Sequence, residues 1–200
     1  MARPRKFDLD DVKERLMNTF WRHGYTRTSL PHLTAASGLL RGSLYAAFGE
    51  KDAMFSVALG RYLDQLRHAI LSDASGIDGL RYTLDAVVQI TIDDPERRGC
   101  LLINAIPEAQ SLGAANRQAI DQGLAEMRLF IGARLREAQE TSTQKPDLEP
   151  LIALVFAASV AIRVLGRAGE EPQLLQDIAD GAVAAVQLAF QPTVTTDAAP

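Results

Sequence analysis

The chain has 200 residues and 47% of them are hydrophobic, enough for one domain of ordinary size or for a small domain joined to a larger one. A single cysteine, Cys100, excludes a disulfide framework and a cysteine-based zinc site within one chain. The net charge of −4 is uneven: residues 1–68 hold 11 Lys/Arg against 7 Asp/Glu, while residues 69–200 hold 10 against 18. A basic first third on an acidic remainder suits one end meeting phosphate and the other facing solvent and a partner.

Arg3, Arg5 and Lys6 precede the first predicted helix. They read equally as a solvated tail or as an arm on a phosphate backbone or in a minor groove. Acidic residues follow them, with no apolar stretch, so no secretory leader is expected and the expected location is the cytoplasm. The first helix is predicted over residues 8–23. Asp8 is its cap, Asp10, Asp11 and Glu14 suit its N-terminal dipole, and Leu9, Val12, Leu16 and Phe20 recur at helical spacing. Gly24 is the expected stop.

Residues 28–55 read as a short helix, a turn at Gly38, a second short helix, a break at Gly49 and a third helix from Lys51. Thr28 or Ser29 caps the first of these, and Pro31 falls in its first turn, where a proline does little harm. Leu30, Leu33 and Ala36 make its apolar stripe. In the next helix Leu44 and Phe48, at i and i+4, share a buried face. Arg41, Gly42, Ser43, Ala46 and Ala47 are left on or near the other side. Helices this short are not stable alone. An apolar back, a basic N-terminus and small outward residues suit a DNA major groove. Arg41 and Ser43 are the best base readers, because arginine pairs bidentately with guanine. Gly42 lets the backbone come close, and the methyls of Ala46 and Ala47 can touch thymine methyls. Lys51 lies at a helix N-terminus, whose free N–H groups favour an anion.

The run from Gly24-Tyr25 through Thr28-Ser29, Leu33-Thr34-Ala35-Ala36-Ser37-Gly38 and Arg41-Gly42-Ser43-Leu44-Tyr45-Ala46-Ala47-Phe48-Gly49-Glu50-Lys51 to Phe55 resembles the DNA-binding domain of the TetR (tetracycline-repressor) family of bacterial transcription regulators. Its signature, G-x-L-Y-x-x-F-x-x-K, spans Gly42 to Lys51. The resemblance covers roughly the first third of the chain. It implies an all-α fold of about nine helices. A three-helix DNA-binding domain would occupy residues 1–52, with its helix-turn-helix at about 29–48. A larger ligand-binding and dimerisation domain would occupy residues 53–190, and a disordered tail residues 191–200. It also implies that Thr28, Tyr45 and Lys51 anchor the motif on the DNA backbone. The chain departs from the family pattern in two ways. Leu40 stands where a capping Ser or Thr is common, and Ala46 and Ala47 replace larger polar residues. Modest base contact and more reliance on DNA shape are therefore expected.

Beyond the motif, helices are predicted over residues 51–71 and 80–92, with a polar, glycine-bearing loop over 72–79 between them. Arg98-Gly99-Cys100-Leu101-Leu102-Ile103-Asn104 resembles a run found in several TetR-like regulators just before or within helix 6. Arg97 and Arg98 are placed to lower the Cys100 pKa and make the thiol reactive; a small buried hydrophobe is the other reading. Further helices are predicted over residues 114–140, 147–167 and 172–190. The stretch 151–165 is the nearest approach to a membrane span, but it is short and contains Arg163, so no span is expected. The last two helices have more apolar surface than one body covers, and the family resemblance implies a four-helix dimer interface there. Tyr82, Cys100, Leu102, Asn104, Met127, Phe130 and Phe156 are the candidate ligand-lining residues, for an apolar or aromatic effector.

No catalytic constellation, metal-spaced histidine set or phosphate loop is apparent, so neither enzymatic activity nor a cofactor or metal is expected. The expected function is a homodimeric, sequence-specific transcription regulator. It would be a repressor released from a near-palindromic double-stranded operator by a small molecule. Two other readings stay open: a thiol-based electrophile or redox sensor acting through Cys100, and a helical protein-interaction module that does not bind DNA.

Overall fold

The computed structural model describes residues 8–192. Arg3, Arg5, Lys6 and most of the expected tail lie outside them. The described elements are helical throughout: α1 (Leu9–Arg27), α2 (Leu30–Ser37), α3 (Arg41–Phe48), α4 (Lys51–Ile70), α5 (Gly76–Ile92), α6 (Leu101–Ala105), α7 (Ala114–Thr141), α8 (Leu148–Ala168) and α9 (Pro172–Ala189), with a 3-10 turn at Ile106–Ser111. The all-α expectation and its helix count hold among the described residues.

Local chemistry explains most boundaries. The Asp8 carboxylate accepts from the Asp10 amide and caps α1. The helical run continues to Arg27, but Gly24, at φ 76° and ψ 172°, breaks it where the stop was expected. The start of α5 departs from the sequence reading. Gly76 and Gly79 read as loop glycines, yet both are buried in the first turn of the helix. A Cβ at Gly79 would lie 2.5 Å from the Ala74 carbonyl oxygen. That residue is small because backbone passes against it, and the sequence signal for a loop was a signal for close approach.

The chain forms two compact units. One joins the described part of Met1–Ala69 to Asp94–Ala125; the other joins Ile70–Asp93 to the described part of Glu126–Pro200. The first unit therefore extends well past residue 52, where the sequence suggested a boundary. The physical cause is α4: Met54, Phe55, Ala58, Leu59 and Tyr62 are all buried. Phe55 meets Phe20 and Tyr25 edge-on, with ring centroids 5.2 Å apart in each case. Leu33 of α2 and Leu44 of α3 are each fully buried. One inward leucine per short helix supplies the tertiary packing that an eight-residue helix needs to persist.

In the second unit, Leu80, Leu84, Val87 and Val88 of α5 share one core with Ile131 and Leu135 of α7, Ile152, Val155 and Ile162 of α8, and Leu175, Val183 and Val186 of α9. By length and composition α8 is apolar enough to cross a membrane. Its buried face belongs to this core, and Arg163 donates from Nη1 to the Thr91 hydroxyl at 3.0 Å. Leu154 and Val164 of α8 and Leu174 and Leu188 of α9 are exposed. Ala153, Ala157, Gly181 and Ala184 are exposed with them.

Candidate nucleic-acid interface

The first unit presents α3 on a frame set by short-range caps. Ser29 caps α2, its hydroxyl accepting from the His32 amide, while His32 Nδ1 accepts from the Ser29 amide. This is a capping box in which histidine takes the place usually held by Glu or Gln. Gly38, at φ 69°, closes α2 in the left-handed region, as expected for a C-terminal glycine. The chain then reaches Leu40, the N-cap of α3, which makes no side-chain cap bond.

With Leu44 turned inward, Arg41, Gly42, Ser43 and Ala46 are exposed together, and Tyr45 and Ala47 are half-buried beside them. A Cβ at Gly42 would meet nothing within 4 Å. Its missing side chain serves no packing within the chain; it leaves the surface open to an approaching partner. The Arg41 guanidinium rests 5.4 Å from the centre of the Tyr45 ring, one turn along the helix.

Lys51 opens α4 as expected, but it is not simply a free cation. Its ammonium donates to the Thr26 carbonyl at 3.4 Å and lies 4.4 Å from the centre of the Tyr25 ring. Burial lowers its pKa, and the negative charge of Glu108 opposes that shift. Thr28 is placed otherwise than the family resemblance implied. It is 1% exposed and its hydroxyl donates to the Gly24 carbonyl at 2.6 Å. Here it locks the break between α1 and α2, and its side chain does not face outward.

Segment 94–117 braces this frame, which the sequence did not reveal. The Glu108 carboxylate accepts from the amides of Tyr25 at 2.7 Å and Thr26 at 3.3 Å, just past the Gly24 break. The Asp52 carboxylate accepts from the Gly113 amide, and its backbone carbonyl accepts from the Asn116 side chain. The Trp21 indole donates to the Gly99 carbonyl, and the Arg98 guanidinium lies 3.9 Å from the centre of the same ring. These partners are far apart in sequence and ordinary in type, so no motif marks them. His23 and His32 also stack, with centroids 4.8 Å apart. Burial, then the neighbouring His32, keeps His23 below the usual imidazole range.

Arg98 also fixes a pH dependence. It donates to Asn18, and its backbone and side chain both donate to Asp94. Burial raises the Asp94 pKa, but the Arg98 hydrogen bonds and charge outweigh burial, so the carboxyl titrates below the usual aspartate range. The unfolded chain therefore binds more protons near pH 4 than the folded one. The stabilisation is present above the unfolded pKa of about 3.9 and is lost as pH falls through the lower folded value. Urea midpoints read from Trp21 fluorescence should fall as pH drops from about 5 to 3, and Asp94→Asn should flatten part of that slope. An identical slope in the variant would remove Asp94 from this role.

The candidate ligand residues divide between the two units. Cys100, Leu102 and Asn104 belong to the first. Cys100 is 2% exposed and caps α6, Leu102 is fully buried, and the Asn104 amide donates to the Arg98 carbonyl at 2.7 Å. Arg98 is held by Asp94, Asn18 and Trp21. Tyr82, Met127, Phe130 and Phe156 belong to the second unit. Tyr82 is 45% exposed and the other three are half-buried. Arg134 lies over the Phe130 ring and Arg128 over Phe156. No group of three or more His, Cys, Asp or Glu among the described residues is placed to hold a metal.

Residues 15–58 match the family model described as bacterial regulatory proteins, tetR family, and residues 76–181 match that of the tetracyclin repressor-like C-terminal domain. The chain belongs to the TetR family. Among its relatives, the HTH-type transcriptional repressor ComR of Escherichia coli (strain K12) is 43% identical over 64 residues, which are 32% of this chain and 30% of ComR. YezE of Bacillus subtilis (strain 168), an uncharacterised HTH-type transcriptional regulator, is 25% identical over 189 residues, 90% of this chain and 96% of YezE. Among solved structures, a cysteine-substituted TetR-family regulator, CifR, in complex with 26-base-pair double-strand operator DNA superposes with a TM-score of 0.80. It is 30% identical and the match covers 92% of this chain and 99% of CifR.

Proposed function

We propose that the chain is a homodimeric, sequence-specific transcriptional repressor that leaves a near-palindromic operator when a small effector binds. The exposed face of α3 carries this reading. Arg41, Gly42, Ser43 and Ala46 lie over a fully buried Leu44, with no packing role that would account for Gly42. The CifR–operator complex supports it at the level of the family. Arg41 and Ser43 read base edges, Ala46 and Ala47 meet thymine methyls, and Tyr45 and Lys51 hold phosphates. Thr28 contributes by holding the turn from which α2 departs.

Dimerisation through the outer rows of α8 and α9 would cover Leu154, Val164, Leu174 and Leu188. The alanines and Gly181 between them would let two helix pairs approach closely. Two copies of α3 would then reach successive major grooves, about one helical turn or somewhat more apart. An apolar or aromatic effector need only bind one conformer better than the other to shift the equilibrium. A repressor of this kind would work in the cytoplasm, where bacterial operators are.

The test is a salt titration on the DNA flanking the chain's own gene, with mass measured by light scattering. A dimer making six or more phosphate contacts should lose about 10³-fold or more in affinity between 50 and 200 mM salt and keep its preferred sequence. A chain that stays monomeric, or that binds no duplex at 50 mM salt, ends the proposal.

A further inference from the structure

We propose that Leu40 is a specificity residue that reads the C5-methyl of a thymine beside the base read by Arg41. This rests on the reading of α3 as the helix that enters the major groove. Leu40 is 81% exposed, more than any other large hydrophobic residue among those described. It stands at the N-cap of α3 and makes no side-chain cap bond there. A Ser, Thr, Asp or Asn at such a position supplies a bond that a leucine forgoes. In the free chain the leucine therefore gains neither a cap nor burial.

Its backbone is nonetheless fixed. The Leu39 amide donates to the Ser37 hydroxyl at 3.3 Å, and the Leu40 carbonyl accepts from the Leu44 amide at 3.0 Å. The isobutyl group is thus held out beside Arg41, Gly42 and Ser43, at the end of the helix that meets base edges first. The occupant follows from groove chemistry. Every hydrogen-bonding group on the major-groove edges is polar, and the thymine methyl is the apolar one. An exposed leucine continuous with the exposed face of α3 is matched by that methyl, the apolar group that projects furthest from the edge. The operator should accordingly carry a thymine within one or two base pairs of the guanine paired with Arg41, in each half-site.

The experiment selects preferred duplexes from a random library with the full-length chain, then replaces each thymine by deoxyuridine, which lacks only the methyl. Loss of one buried methyl should weaken binding roughly fourfold at each thymine that is read, the one beside the guanine paired with Arg41 among them, and roughly fifteenfold when that position is changed in both half-sites. Leu40→Ala and Leu40→Ser should each lose the penalty at that thymine, while Ala46→Gly, which removes a different methyl contact, keeps the penalty there even as affinity falls. Leu40 is so exposed that Leu40→Ala should unfold at the wild-type urea midpoint, and Leu40→Ser should unfold at that midpoint or above it, because serine can cap α3. An unchanged deoxyuridine penalty in the Leu40 variants overturns the assignment, as does a penalty abolished only by Ala46→Gly or no penalty at any thymine. A selection that enriches no sequence overturns the DNA-reading function itself, an outcome distinct from the others.

Discussion

Phe55→Ala should lower the stability of the first unit by about 3–5 kcal/mol and with it abolish measurable operator binding. Phe55 is fully buried, and both Phe20 and Tyr25 meet it edge-on at 5.2 Å. Each aromatic pair adds about 0.5–1.5 kcal/mol beyond the area it buries. Total stability is of order 5–15 kcal/mol, so this one truncation removes a large share of it. The consequence reaches the interface because Tyr25 also supports the Lys51 ammonium, 4.4 Å from its ring centre. A ring that falls into the vacated space carries Lys51 away from its place at the start of α4. Trp21 is the chain's single tryptophan and meets Tyr62 edge-on at 4.9 Å, so its fluorescence during urea unfolding reports this unit. Leu129→Ala, at a 65% exposed site, should stay within about 0.5 kcal/mol of wild type. A loss below about 1 kcal/mol for Phe55→Ala would show that the ring is not the keystone of this core.

Arg41→Ala should cost about 1–3 kcal/mol of base discrimination in each half-site, and the two half-sites of a dimer should add. Arg41 is the first residue of α3 and is exposed, with its guanidinium 5.4 Å from the centre of the Tyr45 ring. That contact with the ring restrains the side chain before DNA arrives, which reduces the rotamer freedom lost on binding. Lys51→Ala and Tyr45→Ala should behave differently. A phosphate contact carries no sequence information, so both should weaken specific and random duplexes alike, and Lys51→Ala should also reduce the salt slope by about one per subunit. The measurement is the ratio of affinities for the selected operator and for random DNA, across a salt series. Three variants with the same ratio would mean that the division between base reader and phosphate anchor is wrong.

Thr28 and Leu40 illustrate opposite limits of reading a motif. Thr28 fits the family pattern and was expected to face phosphate, yet its hydroxyl serves the Gly24 carbonyl and its side chain is buried. Leu40 breaks the pattern, and the sequence could say only that a cap was missing. Its 81% exposure is what turns a missing cap into a candidate contact. Cys100 belongs with Thr28. Two neighbouring arginines suggested an activated thiol, but Arg98 turns to Asp94, Asn18 and Trp21.

What could be known from residue order alone is what acts within about one helical turn. The caps by Asp8 and Ser29, the left-handed Gly38, the inward Leu44 and the bounds of α7 to α9 all depend on neighbours three or four residues away, so composition and spacing carry them. The bracing of Tyr25 by Glu108 and of Asp52 by Gly113 joins groups 83 and 61 residues apart. The division of the ligand candidates between two compact units likewise depends on which surfaces meet. Such contacts leave no periodic trace, because a carboxylate that caps a distant amide looks in sequence like any solvated acid. The family and its reading helix were therefore written locally, and the frame that holds that helix in place emerged only when the chain folded back on itself.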